Sequence, residues 1–274
     1  MGKYSKIGWT THTFNPWWGC QKVSPACEFC YAQTWAKRTG HDVWGGEALR
    51  RFFGEPHWRE PLKWNAEAIE AGEHPRVFCA SMADVFEDRP DLEASRNRLW
   101  DLIEKTDQLR WLLLTKRPEN IGRRCRWAGG PWPENVWLGT TVESQRWAER
   151  RLPHLLAHAA PVRFISAEPL LGPLDLSPFP GIGWIIAGGE SGAKARPTHP
   201  RWLRDLGLYA AFNGIPFFFK QWGRWAPVGT VAQPGRREVM EIISERERAK
   251  MIALGTALAG RTLYGCHFDE IPPH

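Results

Sequence analysis

No run of apolar residues in this 274-residue chain approaches the roughly 18 that a membrane-spanning helix needs. The opening residues MGKYSKIGW pass straight into polar THT without the apolar core of a secretory leader, so the expected compartment is the cytoplasm and no membrane partner is expected. Three common catalytic signatures are missing from the chain: a Walker-type phosphate loop, a G-x-S-x-G nucleophile turn and an H-E-x-x-H zinc helix. There is no internal repeat and no low-complexity tract. Cysteine is scarce, with six residues, and in a reducing compartment so few thiols do not read as a disulfide framework. Their placement therefore matters more than their number.

What is present describes an ordinary globular chain, 43% hydrophobic and 24% charged, with a net charge of +6. Its length suits one large α/β domain spanning residues 1–274. The basic balance fits a polyanionic partner, and the 17 tryptophans include several beside arginine: Arg126-Trp127, Arg146-Trp147, Arg201-Trp202 and Arg224-Trp225. Bases stack on aromatic rings while arginines hold phosphates, so DNA or RNA is a candidate partner. The plainer reading places most of these indoles in the core.

Apolar, β-rich runs recur at 76–84, 110–118, 135–144, 162–171, 184–192 and 216–223, with a first strand expected within 7–16. Between them, helical spacing predicts helices over 91–107, 144–159 and 200–214, the second kinked or started late by Pro153. Strands alternating with helices require a parallel sheet, because parallel neighbours need long crossovers. The expected fold is α/β, a full or partial (β/α) barrel over residues 7–223, with an open doubly wound sheet second. A Gly/Trp-rich insertion is expected at about 40–62, a mobile loop at 223–237 and a C-terminal extension over 224–274.

The strand-like runs end in polar residues: Asn15, Asp84, Lys116, Glu143, Glu168, Glu190 and Lys220-Gln221. A parallel barrel opens all strand C-termini on one face, so Asp84, Glu143, Glu168 and Lys116 become candidate catalytic groups. The first of these ends leads into NPWWGCQKVSPACEFCY, residues 15–31, which holds Cys20, Cys27 and Cys30. Close thiolates chelate a soft metal, and two residues between Cys27 and Cys30 let both sulfurs face one centre. Four ligands close a structural site, whereas three leave a position open for an external ligand. His12 or His41 as a fourth ligand gives a structural zinc site instead, and three unmetallated, partly buried cysteines are the other structural reading. Cys79, inside an apolar run, reads as a core residue, and Cys125 and Cys266 are isolated.

The stretch FNPWWGCQKVSPACEFCYA resembles the signature of a phage-associated family of three-cysteine-motif proteins of unassigned function, itself similar in outline to radical S-adenosylmethionine (radical SAM) enzymes. SMADVFED, LLLTKRP, LGTTVES, ISAEPLLGPL, IIAGGESG and FFFKQWG resemble its other blocks, so the likeness runs from about residue 7 to 223. It implies a [4Fe-4S] cluster on Cys20, Cys27 and Cys30, with S-adenosylmethionine on the fourth iron and an electron-donor protein as partner. The aromatic residue before the last cysteine, here Phe29, and its neighbour Tyr31 are implied beside the adenine. Gly188-Gly189-Glu190 resembles the Gly-Gly-Glu that holds the methionine amino group in radical SAM enzymes. There it follows the second strand and here about the sixth, and the six residues between Cys20 and Cys27 replace the usual three. The reading is a radical-SAM-like enzyme modifying or repairing nucleic acid; the alternative is a nucleic-acid-binding protein with a structural zinc or iron–sulfur site. Arg123, Arg124, Arg126, Arg196, Arg201 and Arg224 are the expected phosphate contacts, with Trp17, Trp18 and Trp222 as stacking platforms.

Overall fold

The computed structural model describes residues 2–230, 237–245 and 247–273. In chain order the elements are β1 (His12–Thr13), β2 (Trp17–Trp18), α1 (Tyr31–Arg38), β3 (Arg51–Phe52), α2 (Glu55–Ala71), β4 (Arg76–Cys79) and α3 (Glu93–Glu104). There follow β5 (Arg110–Thr115), α4 (Ile121–Arg124), β6 (Val136–Thr141), α5 (Gln145–Leu156), β7 (Val162–Ala167), β8 (Trp184–Gly188), α6 (Pro200–Phe212) and β9 (Phe217–Gln221). The chain ends with β10 (Trp225–Pro227), β11 (Val239–Ser244), β12 (Glu247–Ala253) and α7 (Thr256–Ala259). Among the described residues no helix is long and apolar enough to cross a membrane.

Seven strands form one sheet in the order β1-β4-β5-β6-β7-β8-β9. The pairs β1–β4, β4–β5, β5–β6, β7–β8 and β8–β9 are parallel. The order never reverses, which separates this singly wound (β/α) arrangement from a doubly wound sheet, where reversal creates the ligand crevice. Beyond β9 the edge is covered by the chain's own tail: Phe219 N–H donates to the Phe268 carbonyl and Phe218 bridges Asp269. The tail so placed keeps an apolar edge from pairing with another chain.

All seven expected strand regions contain a strand. They were legible because strands buried on both faces read as continuous apolar runs; β6 and β8 are buried at every position. The three expected helices also form, and α5 runs through Pro153 without ending there. Two regions hold further elements. Residues 40–62 hold β3, which pairs antiparallel with β2, and the first half of the 17-residue α2. That helix starts after Gly54 with Pro56 in its first turn, and it ends at Gly72, whose φ of 64° supplies the left-handed cap. The region after 223 carries a three-stranded antiparallel sheet, β10-β12-β11; the loop expected over 223–237 contains β10, and its residues 231–236 lie outside the described residues.

The chain comprises two compact units: Met1–Ser24 with Ala32–Thr140 and Pro153–Arg163, and Pro25–Tyr31 with Thr141–Leu152 and Phe164–His274. In the first, α2 and α3 bury Trp58, Trp64, Leu99, Trp100 and Ile103 beside Phe14, Trp111 and Leu113. In the second, Phe164, Trp184, Phe218 and Phe219 fill the core with Leu203 and Leu206 of α6. Each fully buried side chain of this size contributes up to about 3 kcal/mol from apolar burial.

Candidate functional site

In the first unit, the ends of β1, β4 and β5 are knitted by polar side chains. Asn15 Oδ1 accepts the Met82 N–H at 2.7 Å and its Nδ2 donates to Ser81 Oγ at 3.2 Å, fixing the exit of β1 against that of β4. Asp84, buried, accepts from Thr115 Oγ1 at 2.7 Å, from the N–H groups of Phe86 and Lys116 at 3.1 and 3.0 Å, and from Arg117 Nη1 at 2.9 Å. Burial opposes its charge, but Arg117 and these donors outweigh it and hold its carboxyl below the usual aspartate range. With its lone pairs committed, Asp84 is built to hold the β4 and β5 ends together.

Arg117 reaches further. Its Nη2 donates to the Gln21 carbonyl at 2.7 Å and its Nη1 lies 3.6 Å from Cys20 Sγ. Burial pushes the Cys20 thiol up to about 12, with Arg117 working against that rise. Arg117 was named in the sequence only as the neighbour of Lys116, yet it is the group in contact with the cysteine. The Lys116 ammonium has no ion pair among the described residues, and only its backbone N–H is engaged. Gly19, just before Cys20, has φ of +117°, and a Cβ there would fall 2.3 Å from the Val43 carbonyl oxygen. Buried Arg50 secures the same loop by donating to the Val43, Gly45 and Ala48 carbonyls while pairing with Glu87 at 2.6 Å.

The second unit contains the segment Pro25–Tyr31 and the acids after β6, β7 and β8. The segment opens with a 3-10 turn, Pro25–Cys27, and Cys30 stands at the N-terminal end of α1. The Ala26 N–H donates to Glu143 Oε1 at 3.3 Å, and Glu143 Oε2 is paired at 2.7 Å with Arg151, buried like itself. Glu190 is held by Arg196 through Nη2 at 2.5 Å and Nε at 2.8 Å, and it also accepts the Arg196 N–H at 2.8 Å. The same guanidinium donates to the Pro25 carbonyl and Glu28, and it lies 5.1 Å over the Phe29 ring. The Glu190 contacts lift the Arg196 pKa further. Arg196, expected to face phosphate, is thus the clamp between the cysteine-bearing segment and the end of β8.

Glu168 pairs with Lys220 at 3.0 Å. Tyr31 leaves half its surface exposed, but its hydroxyl is raised by burial first and then by the charges of Cys30 and Glu168. Within this unit Glu143, Glu168 and Glu190 therefore all act on Pro25–Tyr31, two through hydrogen-bonded anchors and one through charge. Each carries its own basic partner, so none is an isolated base.

Gly188 and Gly189 have a different reason from ligand access. A Cβ on Gly189 would sit 2.0 Å from the Trp222 carbonyl oxygen, and one on Gly188 would be 3.1 Å from both the Gln221 oxygen and Glu168 Oε1. The glycines let the end of β8 pack against the chain leaving β9, where the β8–β9 register shifts.

None of the six cysteines is in a disulfide. Among the described residues no three His, Cys, Asp or Glu side chains are already grouped to hold a metal ion. Donor chemistry nevertheless suits a soft metal: Cys20 lies beside a guanidinium, and Cys30 lies at a helix N-terminus. His12 is spoken for, its Nδ1 accepting the Tyr4 N–H and its ring stacked on Trp64; His41 packs on Trp18. The expected phosphate contacts are also engaged: Arg123 and Arg124 with Asp88, Arg126 with Asp101, Arg201 with Asp205 and Glu245, and Arg224 with Glu238. Trp17 and Trp222 are buried, which removes them as platforms; Trp18 is half-buried.

Fold and local chemistry define an α/β protein of the partial (β/α)-barrel class with cysteine-bearing segments braced by arginine. The chain belongs to the family described as a protein of unknown function (DUF5131), which it matches over residues 4–272. No curated protein matches it. Among solved structures it is similar to a double mutant of spore photoproduct lyase with bound AdoMet and dinucleoside spore photoproduct, at 12% identity and a TM-score of 0.47, covering 92% of this chain and 71% of that one. A cysteine-to-serine mutant of the same lyase gives 14% identity and 0.47 with the same coverage, and a tyrosine-to-phenylalanine mutant 13% and 0.45.

Proposed function

We propose that this chain is a radical-SAM-like iron–sulfur enzyme, in which Cys20, Cys27 and Cys30 hold a [4Fe-4S] cluster whose fourth iron binds S-adenosylmethionine. The observation that carries the reading is a three-thiol motif, one ligand short of a closed site, directly after the first strand of a parallel α/β sheet. Such a cluster would supply the one-electron reduction, with the electron from a donor protein, that cleavage of the sulfonium requires. The residues around it bind and orient. Arg117 offsets charge beside Cys20, Arg196 and Glu143 fix the segment bearing Cys27 and Cys30, and Phe29 and Tyr31 offer the aromatic surface for an adenine. Lys116, with no ion pair among the described residues, is left to meet substrate. Asp84, Glu143, Glu168 and Glu190 act as positioning residues through their basic partners, and a proton role for any of them requires that pair to open. The substrate is nucleic acid, the reading supported by the basic balance and by an arginine over the half-buried Trp18 ring.

Anaerobic purification with iron and acid-labile sulfide analysis tests the metal. A brown protein with about four irons per chain, reduced in Cys20→Ala, Cys27→Ala and Cys30→Ala, is expected from shared ligation. Production of 5′-deoxyadenosine by the dithionite-reduced, reconstituted protein tests the chemistry. A colourless, zinc-loaded protein would overturn the enzyme in favour of a binding protein with a structural metal.

A further inference from the structure

We infer that Trp18, Trp35, Arg51 and Phe53 form a stacking platform for single-stranded nucleic acid, with Lys37 and Arg38 as its phosphate contacts. This inference rests on the nucleic-acid reading above and gives it a place on the molecule. All six residues belong to the first compact unit. Trp18 of β2 lies opposite Arg51 of β3 in the antiparallel pair, which sets the guanidinium 4.4 Å over the indole and 5.1 Å from the Phe53 ring. Around Trp18 stand Trp35 at 5.0 Å, Phe53 at 5.6 Å and His41 at 5.6 Å, each presented near edge-on. Trp35 remains 40% exposed, as a buried packing role would not leave it, and Phe52 beside Arg51 is 47% exposed.

Charge distinguishes this patch from the arginine–tryptophan pairs at Arg126, Arg201 and Arg224. Arg126, Arg201 and Arg224 are taken up by carboxylates, whereas Arg51, Lys37 and Arg38 have no ion pair among the described residues. Lys37 and Arg38 close the last turn of α1, two and three residues beyond Trp35, and both are exposed. An exposed Trp35 indole edge-on to Trp18, a guanidinium 4.4 Å over the Trp18 ring and unneutralised cations at the margin together fit a ligand that has both π faces and negative charge. A single strand has both at every nucleotide, whereas a duplex hides its base faces.

The test is fluorescence-anisotropy titration of the full chain with a labelled mixed-sequence single-stranded DNA, its duplex form, and heparin as competitor, across a salt series. Wild type should bind the single strand more tightly than the duplex. Trp35→Ala should weaken binding about 5- to 150-fold, the loss of one stacked base. The double variant Lys37→Gln with Arg38→Gln, wholly on exposed positions, should lower the salt slope by about 1.4 for two lost phosphate contacts. An unchanged affinity in Trp35→Ala, or full displacement by heparin at wild-type and variant alike, overturns the platform while leaving nucleic acid as a partner elsewhere. Absence of binding by wild type at low salt overturns the nucleic-acid reading and the platform with it, without touching the cluster assays.

Discussion

Replacing Arg196 by alanine should release the segment that carries Cys27 and Cys30. Four side-chain hydrogen bonds are lost, two to Glu190, one to Glu28 and one to the Pro25 carbonyl, while the bond from the Arg196 backbone N–H to Glu190 survives. Removing one partner of a buried ion pair costs about 3–5 kcal/mol, mostly from the charge left behind. Arg196 is about a quarter exposed, so solvent takes up part of that loss, and the local cost is set at about 2 kcal/mol. Amides of residues 26–30 should then exchange about 30-fold faster, by the conversion of about 1.4 kcal/mol per decade. Hydrogen exchange followed by mass spectrometry reads this directly, with iron content after anaerobic purification as a second measure. Adding Glu190→Gln to Arg196→Ala should recover part of the loss, because the stranded charge is what costs most. Unchanged protection over residues 26–30 in Arg196→Ala would refute the clamp.

Three further outcomes follow from local geometry. Gly189→Ala should give little soluble protein or a large fall in Tm, since its Cβ would lie 2.0 Å from backbone at Trp222; a Tm within a degree or two of wild type would contradict the packing role. Asp84→Asn should cost about 3 kcal/mol or more, measured by urea unfolding, by leaving buried Arg117 without its counter-charge; near-neutral behaviour would show the pair dispensable. For His12, burial first and then the Lys3 charge lower the pKa to about 4 in the folded state, from 6.5. The unfolded chain therefore takes up the proton first as pH falls, and stability is lost between about pH 6.5 and 4, by up to about 3 kcal/mol. His12→Gln should flatten that part of the stability–pH curve, and an equal slope in both proteins would count against the assignment.

The strand windows were legible because each parallel strand must be apolar along its whole length, a local property that one segment declares by itself. Helix α2 was not. Gly54, Pro56 and Pro61 resemble turn signals, and only Trp58, Trp64 and Ala68 packing in the core identify the helical face. The antiparallel sheet of β10, β11 and β12 was missed because β11 is largely exposed and Glu241 interrupts its apolar residues.

The sequence by itself determined the parallel α/β class and which polar residues follow its strands; the order of strands in the sheet came from the structure. Only tertiary structure decided what those residues do. Asp84 meets Arg117 across 33 residues, and Glu143 meets Arg151 across eight. Glu190 meets Arg196, which also reaches Glu28 across 168 residues. Burial makes each acid demand a counter-charge, but which arginine supplies it depends on how the chain returns through space. The glycines of Gly188-Gly189-Glu190 follow the same rule: their sequence announces freedom of approach, and the fold decides that the approaching group is the protein's own backbone at Gln221 and Trp222.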